Sequence, residues 1–206
     1  MLAVLVACAS TARAQEAAPS SDDNHFGIKA GASLSNFVGK DVQNSDNLFG
    51  FHAGFVANVA LGERFSIQPE LLYSIKGAKT EVSAGTTTFQ RTQSLHYVEL
   101  PILVKAKFSQ FFVEAGPQAG VLVRAKSKTE GGSMEGSISN KDEYGDVDFG
   151  YVAGLGYQLE SGPMVGLRYN GGLSNVDASE VVSGRSIQTK ARNNVFQLYV
   201  GYTFGN

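Results

Sequence analysis

Three carboxylates in this chain sit where ordinary soluble strands would not place them. Glu70 follows Gln68-Pro69, Glu99 precedes Leu100-Pro101, and Glu114 precedes Ala115-Gly116-Pro117. Each lies inside an alternating apolar segment, so each shares a parity with its neighbours two residues away. Lys29, Lys76, Lys105, Lys107, Arg124 and Arg168 fall on the same parity of their own segments. Buried charges are tolerated when paired and hydrogen-bonded. Two chemistries fit this set: an ion-pair network that fills an enclosed space, or a path for ions or protons. The network is the reading carried forward, because a small barrel leaves only enough interior to be filled by side chains.

Other residues could do chemistry but lack the partners. Ser94 and His96 lie two apart at a segment edge, as an acyl-hydrolase nucleophile and base could. A base of that kind needs an orienting carboxylate, and none shares the outward parity, so no enzyme is expected. Glu143, Asp146 and Asp148 cluster in one polar stretch, but hard cations take six or more oxygens and the spacing is not that of a calcium loop. Gly154-Leu155-Gly156 is followed by no helix, which excludes a nucleotide loop. No metal or cofactor is expected, and a net charge of -2 gives no reason to expect nucleic acid.

The elements that would position these groups are strands. From Phe26 onward the chain alternates with period two in eight segments, and no helical period is sustained. Val98, Leu100, Ile102, Val104, Ala106 and Phe108 form one face of the fourth segment; Tyr97, Glu99, Pro101, Leu103 and Lys105 form the other. Short joints at Gly62-Glu63, Ser109-Gln110 and Glu160-Ser161-Gly162 alternate with long polar connections near 38–49, 77–94, 126–146 and 175–193. A soluble lipocalin-like barrel has the same alternation with its faces inverted. The long–short rhythm separates the two, because transmembrane barrels have short periplasmic turns and long outer loops. The expected fold is therefore all-β: an eight-stranded antiparallel up-and-down transmembrane barrel, with apolar residues toward lipid and charges in the lumen. Charged residues make up only 17% of the chain and glycines number 24. The glycines recur on the lumenal parity, where small residues leave room for long polar ones.

The N-terminus supports export. Leu2 to Ala9 is an apolar run and Ala12-Arg13-Ala14 supplies a small-x-small cleavage pattern. Residues 1–14 read as a signal peptide, residues 15–24 as a flexible leader and residues 25–206 as the barrel domain. Cleavage after Ala14 removes Cys8, leaving a mature chain without thiol chemistry. Leu5-Val6-Ala7-Cys8 also resembles a lipoprotein signal, but too few residues precede it to form an apolar core.

The segments "FGIKAGASLSNF", "YVELPILVKAKF", "FFVEAGPQAGVLV" and "LRYNGGLSNV" resemble the PorT-like outer-membrane barrels of Bacteroidetes, often labelled porin family proteins. The resemblance spans about 26–204. It implies an outer-membrane location and an eight-stranded barrel; the family's namesake supports a protein-secretion system. The expected partners are outer-membrane lipid and other envelope proteins, with the chain itself a monomer. The function expected is structural or surface-interacting, with a secretion-accessory barrel and a narrow porin as alternatives.

One feature resists this scheme. Pro69, Pro101 and Pro117 lie mid-strand on three adjacent strands, and each removes a ladder donor. A bulge or local widening is expected there, with a shift of side-chain parity beyond it.

Overall fold

The structure, a computed structural model, describes residues 24–39, 45–84, 87–130, 136–138, 147–174, 176–182 and 185–204. The signal peptide, most of the leader, Glu143 and Asp146 lie outside the described residues.

Among these residues the chain forms β1 (His25–Val38), β2 (Ser45–Ala60), β3 (Phe65–Ala84), β4 (Thr87–Phe108), β5 (Phe111–Glu130), β6 (Gly136–Ile138), β7 (Val147–Gln158), β8 (Pro163–Gly172), β9 (Val176–Val182) and β10 (Arg185–Phe204). Eight of them close a ring in the order β1-β2-β3-β4-β5-β7-β8-β10, sealed by antiparallel pairing of β10 with β1. Closure leaves the ring without an unpaired edge, as a bilayer requires. The short strands β6 and β9 sit outside the ring, paired with β5 and β10.

Burial follows the alternation. Val98, Leu100, Ile102 and Val104 are exposed, whereas Tyr97, Glu99, Leu103 and Lys105 are buried. The same inversion of soluble-protein logic runs around the ring: Phe55, Leu71, Val113, Leu155, Leu167 and Leu198 are at least half or nearly half exposed, and lysines, glutamates and an arginine are inside. Ala106 departs from expectation: its outward methyl is covered, at 9% exposure, where it pairs with Phe65.

Three tight turns at one end carry residues with positive φ: Gly62, Ser109 and Gly162. At the other end the described residues of the long connections are largely strand. β3 and β4 continue pairing up to Ala84 and Thr87, β5 runs on to Glu130, and β9 and β10 form a further hairpin. These stretches were expected as polar loops because their hydropathy alternation fades. The ladder persists because backbone pairing does not depend on which side of the strand meets lipid; past the membrane both faces meet water and the alternation has no cause.

The prolines interrupt the ladder on three adjacent strands, as expected, but do not shift its register. The β3–β4 register is the same on both sides of Pro101, running from Pro69↔Ile102 to Leu72↔Glu99, and the pairs between are missing from the ladder. The same holds in β4–β5 between Pro101↔Gln118 and Val104↔Ala115, and in β2–β3 between Val56↔Glu70 and Val59↔Ile67. Each proline thus interrupts pairing with the preceding strand, because that is where its absent N–H would point. Register and parity are retained, since a missing donor adds no residue. The parity shift expected here does not occur. The register shifts lie elsewhere: in β2–β3 between Asn47 and His52, and in β4–β5 between His96 and Tyr97.

Candidate functional site: the charged lumen

The lumen is built from the inward parity of every strand of the ring. At its centre Arg168 of β8 reaches two glutamates from two other strands. Its Nη1 donates to Glu70 Oε2 at 2.7 Å and its Nη2 to Glu70 Oε1 at 2.6 Å, while Nε donates to Glu114 Oε1. Lys29 Nζ adds a contact to Glu70 Oε1 at 2.8 Å. Gln68 Nε2 donates to the same oxygen at 2.6 Å, and the Tyr199 hydroxyl donates to Glu114 Oε1 at 2.9 Å. The side chains of Lys29, Glu70, Glu114 and Arg168 have no solvent exposure. Both cations also lie over the Tyr199 ring, Lys29 Nζ at 4.0 Å from its centroid and Arg168 Cζ at 4.9 Å. Gly154 makes the arrangement possible: a Cβ there would stand 2.8 Å from Arg168 Cγ and 3.1 Å from Glu114 Oε1.

Toward the short-turn end, Lys105 Nζ donates to Gln158 Oε1 at 2.8 Å and lies 4.0 Å over the Phe112 ring. Gln158 passes the chain on to Thr203 Oγ1 at 3.1 Å. Phe112, Met164 and Tyr199 form an apolar cluster at this level.

Toward the hairpin end is a second ionic group. Lys76 is paired with Glu99 and reaches Asp148 Oδ2 at 3.5 Å. Glu99 also accepts from Ser74 at 2.5 Å and Gln118 at 2.8 Å. Asp148 accepts from Ser174 Oγ at 2.8 Å and Asn193 Nδ2 at 3.2 Å. Above it Leu95, Tyr97, Leu122 and Ala125 close the lumen with apolar side chains, and Phe37 packs against them. The interior thus holds two salt-bridge networks, with an apolar cluster beyond them at the hairpin end and a mixed layer of Lys105, Gln158, Phe112 and Met164 at the short-turn end.

Seven of the nine expected lumen charges are inside: Lys29, Glu70, Lys76, Glu99, Lys105, Glu114 and Arg168 are all buried, while Lys107 is only partly covered. Arg124 is exposed, because Val123 is an extra residue in β5: His96 pairs with Arg124 but Tyr97 pairs with Leu122. The bulge exchanges the faces of β5 beyond inward-facing Leu122, so Ala125 points inward and Arg124 outward.

The neutral partners carry no charge to single them out in the sequence. Gln68, Ser74, Gln118, Gln158 and Tyr199 satisfy the ions, Asn170 donates to Gln118 Oε1 at 3.2 Å, and all share the inward parity of the ions. Asp148, at the end of the acidic stretch, takes the inward side that its shared parity with Gly150 dictates. Among the described residues, both ring nitrogens of His52, both amide atoms of Gln197, and Asn170 Oδ1 and Asn193 Oδ1 are buried without a hydrogen-bond partner.

His96 is not arranged for nucleophilic catalysis. Its Nδ1 lies 2.6 Å from the Tyr73 hydroxyl, and Ser94 sits opposite Gly77 and Lys126 in the ladder. Among the described residues no group of three or more His, Cys, Asp or Glu could hold a metal.

A closed ring, an apolar belt outside and ions inside define a membrane barrel. A family model described as outer membrane protein beta-barrel domain matches residues 13–178. The chain belongs to that family. It is a bacterial outer-membrane barrel. No curated protein matches its sequence. Among solved structures it is similar to Ail, the attachment invasion locus protein of Yersinia pestis, determined in complex with the heparin analogue sucrose octasulfate: 15% identity, TM-score 0.51, covering 88% of this chain and 99% of that one. It is also similar to Neisserial surface protein A, at 14% identity and TM-score 0.48, covering 87% and 97%. Outer membrane protease OmpT of Escherichia coli follows at 8% and 0.46, covering 89% and 98%. At 15% identity the likeness to Ail shows the fold alone.

Proposed function

We propose that this outer-membrane barrel is a closed scaffold with a structural or surface-interacting role. The observation that carries the reading is the clamp of Arg168 between Glu70 and Glu114, which lies across the lumen where a solute would have to pass. Planar-bilayer recording tests it. The purified chain should give no stable single-channel conductance. A stable conductance that disappears in Glu99→Gln would sink the closed scaffold and establish the narrow porin.

The paired hairpins beyond the apolar belt favour a second reading, an accessory barrel of a secretion system. They give the scaffold a rigid surface for contact with other envelope proteins. The narrower resemblance to PorT-like barrels belongs to this proposal. Mild detergent extraction followed by affinity capture tests it: recovery of the chain alone, as a monomer, would leave the scaffold reading standing. Removal of residues 1–14 is part of the same proposal, and N-terminal sequencing of the outer-membrane form checks it.

A further inference from the structure

The bulge at Val123 turns two cations outward at the end of the apolar face of β5. Below it the outward residues of β5 are apolar: Val121 is 50% exposed and Val123 46%. On β4 the same face carries Val98 and Leu100. One residue beyond the bulge the outward face becomes Arg124, then Lys126, both exposed. A strand advances about 3.3 Å per residue, so the cations begin at the rim of the apolar belt. Without the bulge Arg124 would enter the lumen and Ala125 would face out.

Aromatic residues mark the same rim. Phe51 packs on Tyr73, with ring centroids 6.3 Å apart, and Tyr73 on His96, at 5.9 Å. Aromatic girdles of this kind sit at the interface between hydrocarbon and headgroups. His96 pairs with Arg124 and Ser94 with Lys126 across the β4–β5 ladder. When the Tyr73 hydroxyl donates to His96 Nδ1, Nε2 carries the ring proton and is a further donor. Among the described residues no carboxylate pairs with Arg124 or Lys126. The acid farther along this strand, Glu130, is bound by Lys128.

We propose that Arg124 and Lys126, with His96 beside them, bind the phosphate of a phosphorylated lipid in the outer leaflet. The lipid's acyl chains would lie along the valine face directly below. A guanidinium grips phosphate through two parallel hydrogen bonds, and an ammonium adds a point charge. The apolar belt beneath the cations is what selects a lipid over a free anion.

The test titrates the detergent-solubilised chain with lipid A, with dephosphorylated lipid A and with inorganic phosphate, reading occupancy by native mass spectrometry. Wild type should bind lipid A. Arg124→Gln/Lys126→Gln should bind it about tenfold more weakly or worse, as expected for two lost charge-assisted bonds. The charge-retaining pair Arg124→Lys/Lys126→Arg should keep most of the affinity. Arg192→Gln, which removes an exposed cation from β10, should change nothing. Heat-shifted migration on gels confirms that each variant is folded. Equal binding by the glutamine pair, equal binding of dephosphorylated lipid A, or displacement by inorganic phosphate at matching concentration would each overturn the proposal. None of these outcomes bears on whether the lumen conducts.

Discussion

Arg168 and Glu70 face each other across the lumen through two parallel hydrogen bonds, at 2.7 and 2.6 Å, from strands that are not neighbours in the ring. The pair ties β8 to β3 through the interior rather than through the wall. It also fixes Glu114, which takes the remaining face of the guanidinium. Removing Arg168 would leave two carboxylates buried side by side, with Lys29 as the cation bonded to one of them.

Arg168→Met should therefore cost about 3–5 kcal/mol of stability, the range for breaking a buried pair by removing one partner. Urea titration of the barrel refolded in lipid vesicles measures this. The triple variant Arg168→Met/Glu70→Gln/Glu114→Gln should recover much of the loss. A single variant as stable as wild type would mean that the clamp adds nothing to the fold.

Lys76→Met should be milder than Arg168→Met. Glu99 keeps the hydrogen bonds from Ser74 and Gln118, and Asp148 keeps those from Ser174 and Asn193. The same urea titration, run side by side, gives the order. The reverse order would show that the hairpin-end network is the more important one.

Gly154→Val should be nearly as damaging as Arg168→Met. Its Cβ would stand 2.8 Å from both Arg168 Cγ and the Leu167 carbonyl oxygen, so the guanidinium must leave its place. Gln197→Leu should be neutral or stabilising, because its two buried amide atoms make no protein hydrogen bond. The temperature at which the heat-shifted gel band disappears compares the two. Parallel losses would contradict the assignment of Gln197 to an unengaged position.

Leu167→Arg tests the outer face. Leu167 is 56% exposed and pairs with Leu155 and Leu198, both on the lipid side. An arginine near the bilayer midplane costs a barrel about 2–4 kcal/mol. The loss should appear in vesicles and shrink in detergent. An equal loss in both would place this residue in a packed core rather than against lipid.

The sequence by itself determined the ring and its inside. Period-two alternation settles which residues share a face, and the long–short rhythm of the connections, which marks a membrane barrel, sends Glu70, Glu99 and Glu114 inward with Lys29, Lys76, Lys105 and Arg168. It could not say which charge meets which, because partners such as Arg168 and Glu70 are separated by intervening strands and meet only once the ring closes. It placed the long connections as loops, because hydropathy alternation ends where lipid ends while backbone pairing does not. It expected the prolines to shift the parity, although a missing donor leaves register intact. The tertiary structure alone decided the side taken by Arg124. One extra residue at Val123, visible only against the fixed register of β4, reverses every side chain that follows it on β5. Parity is a local rule, and it holds only as far as the next bulge.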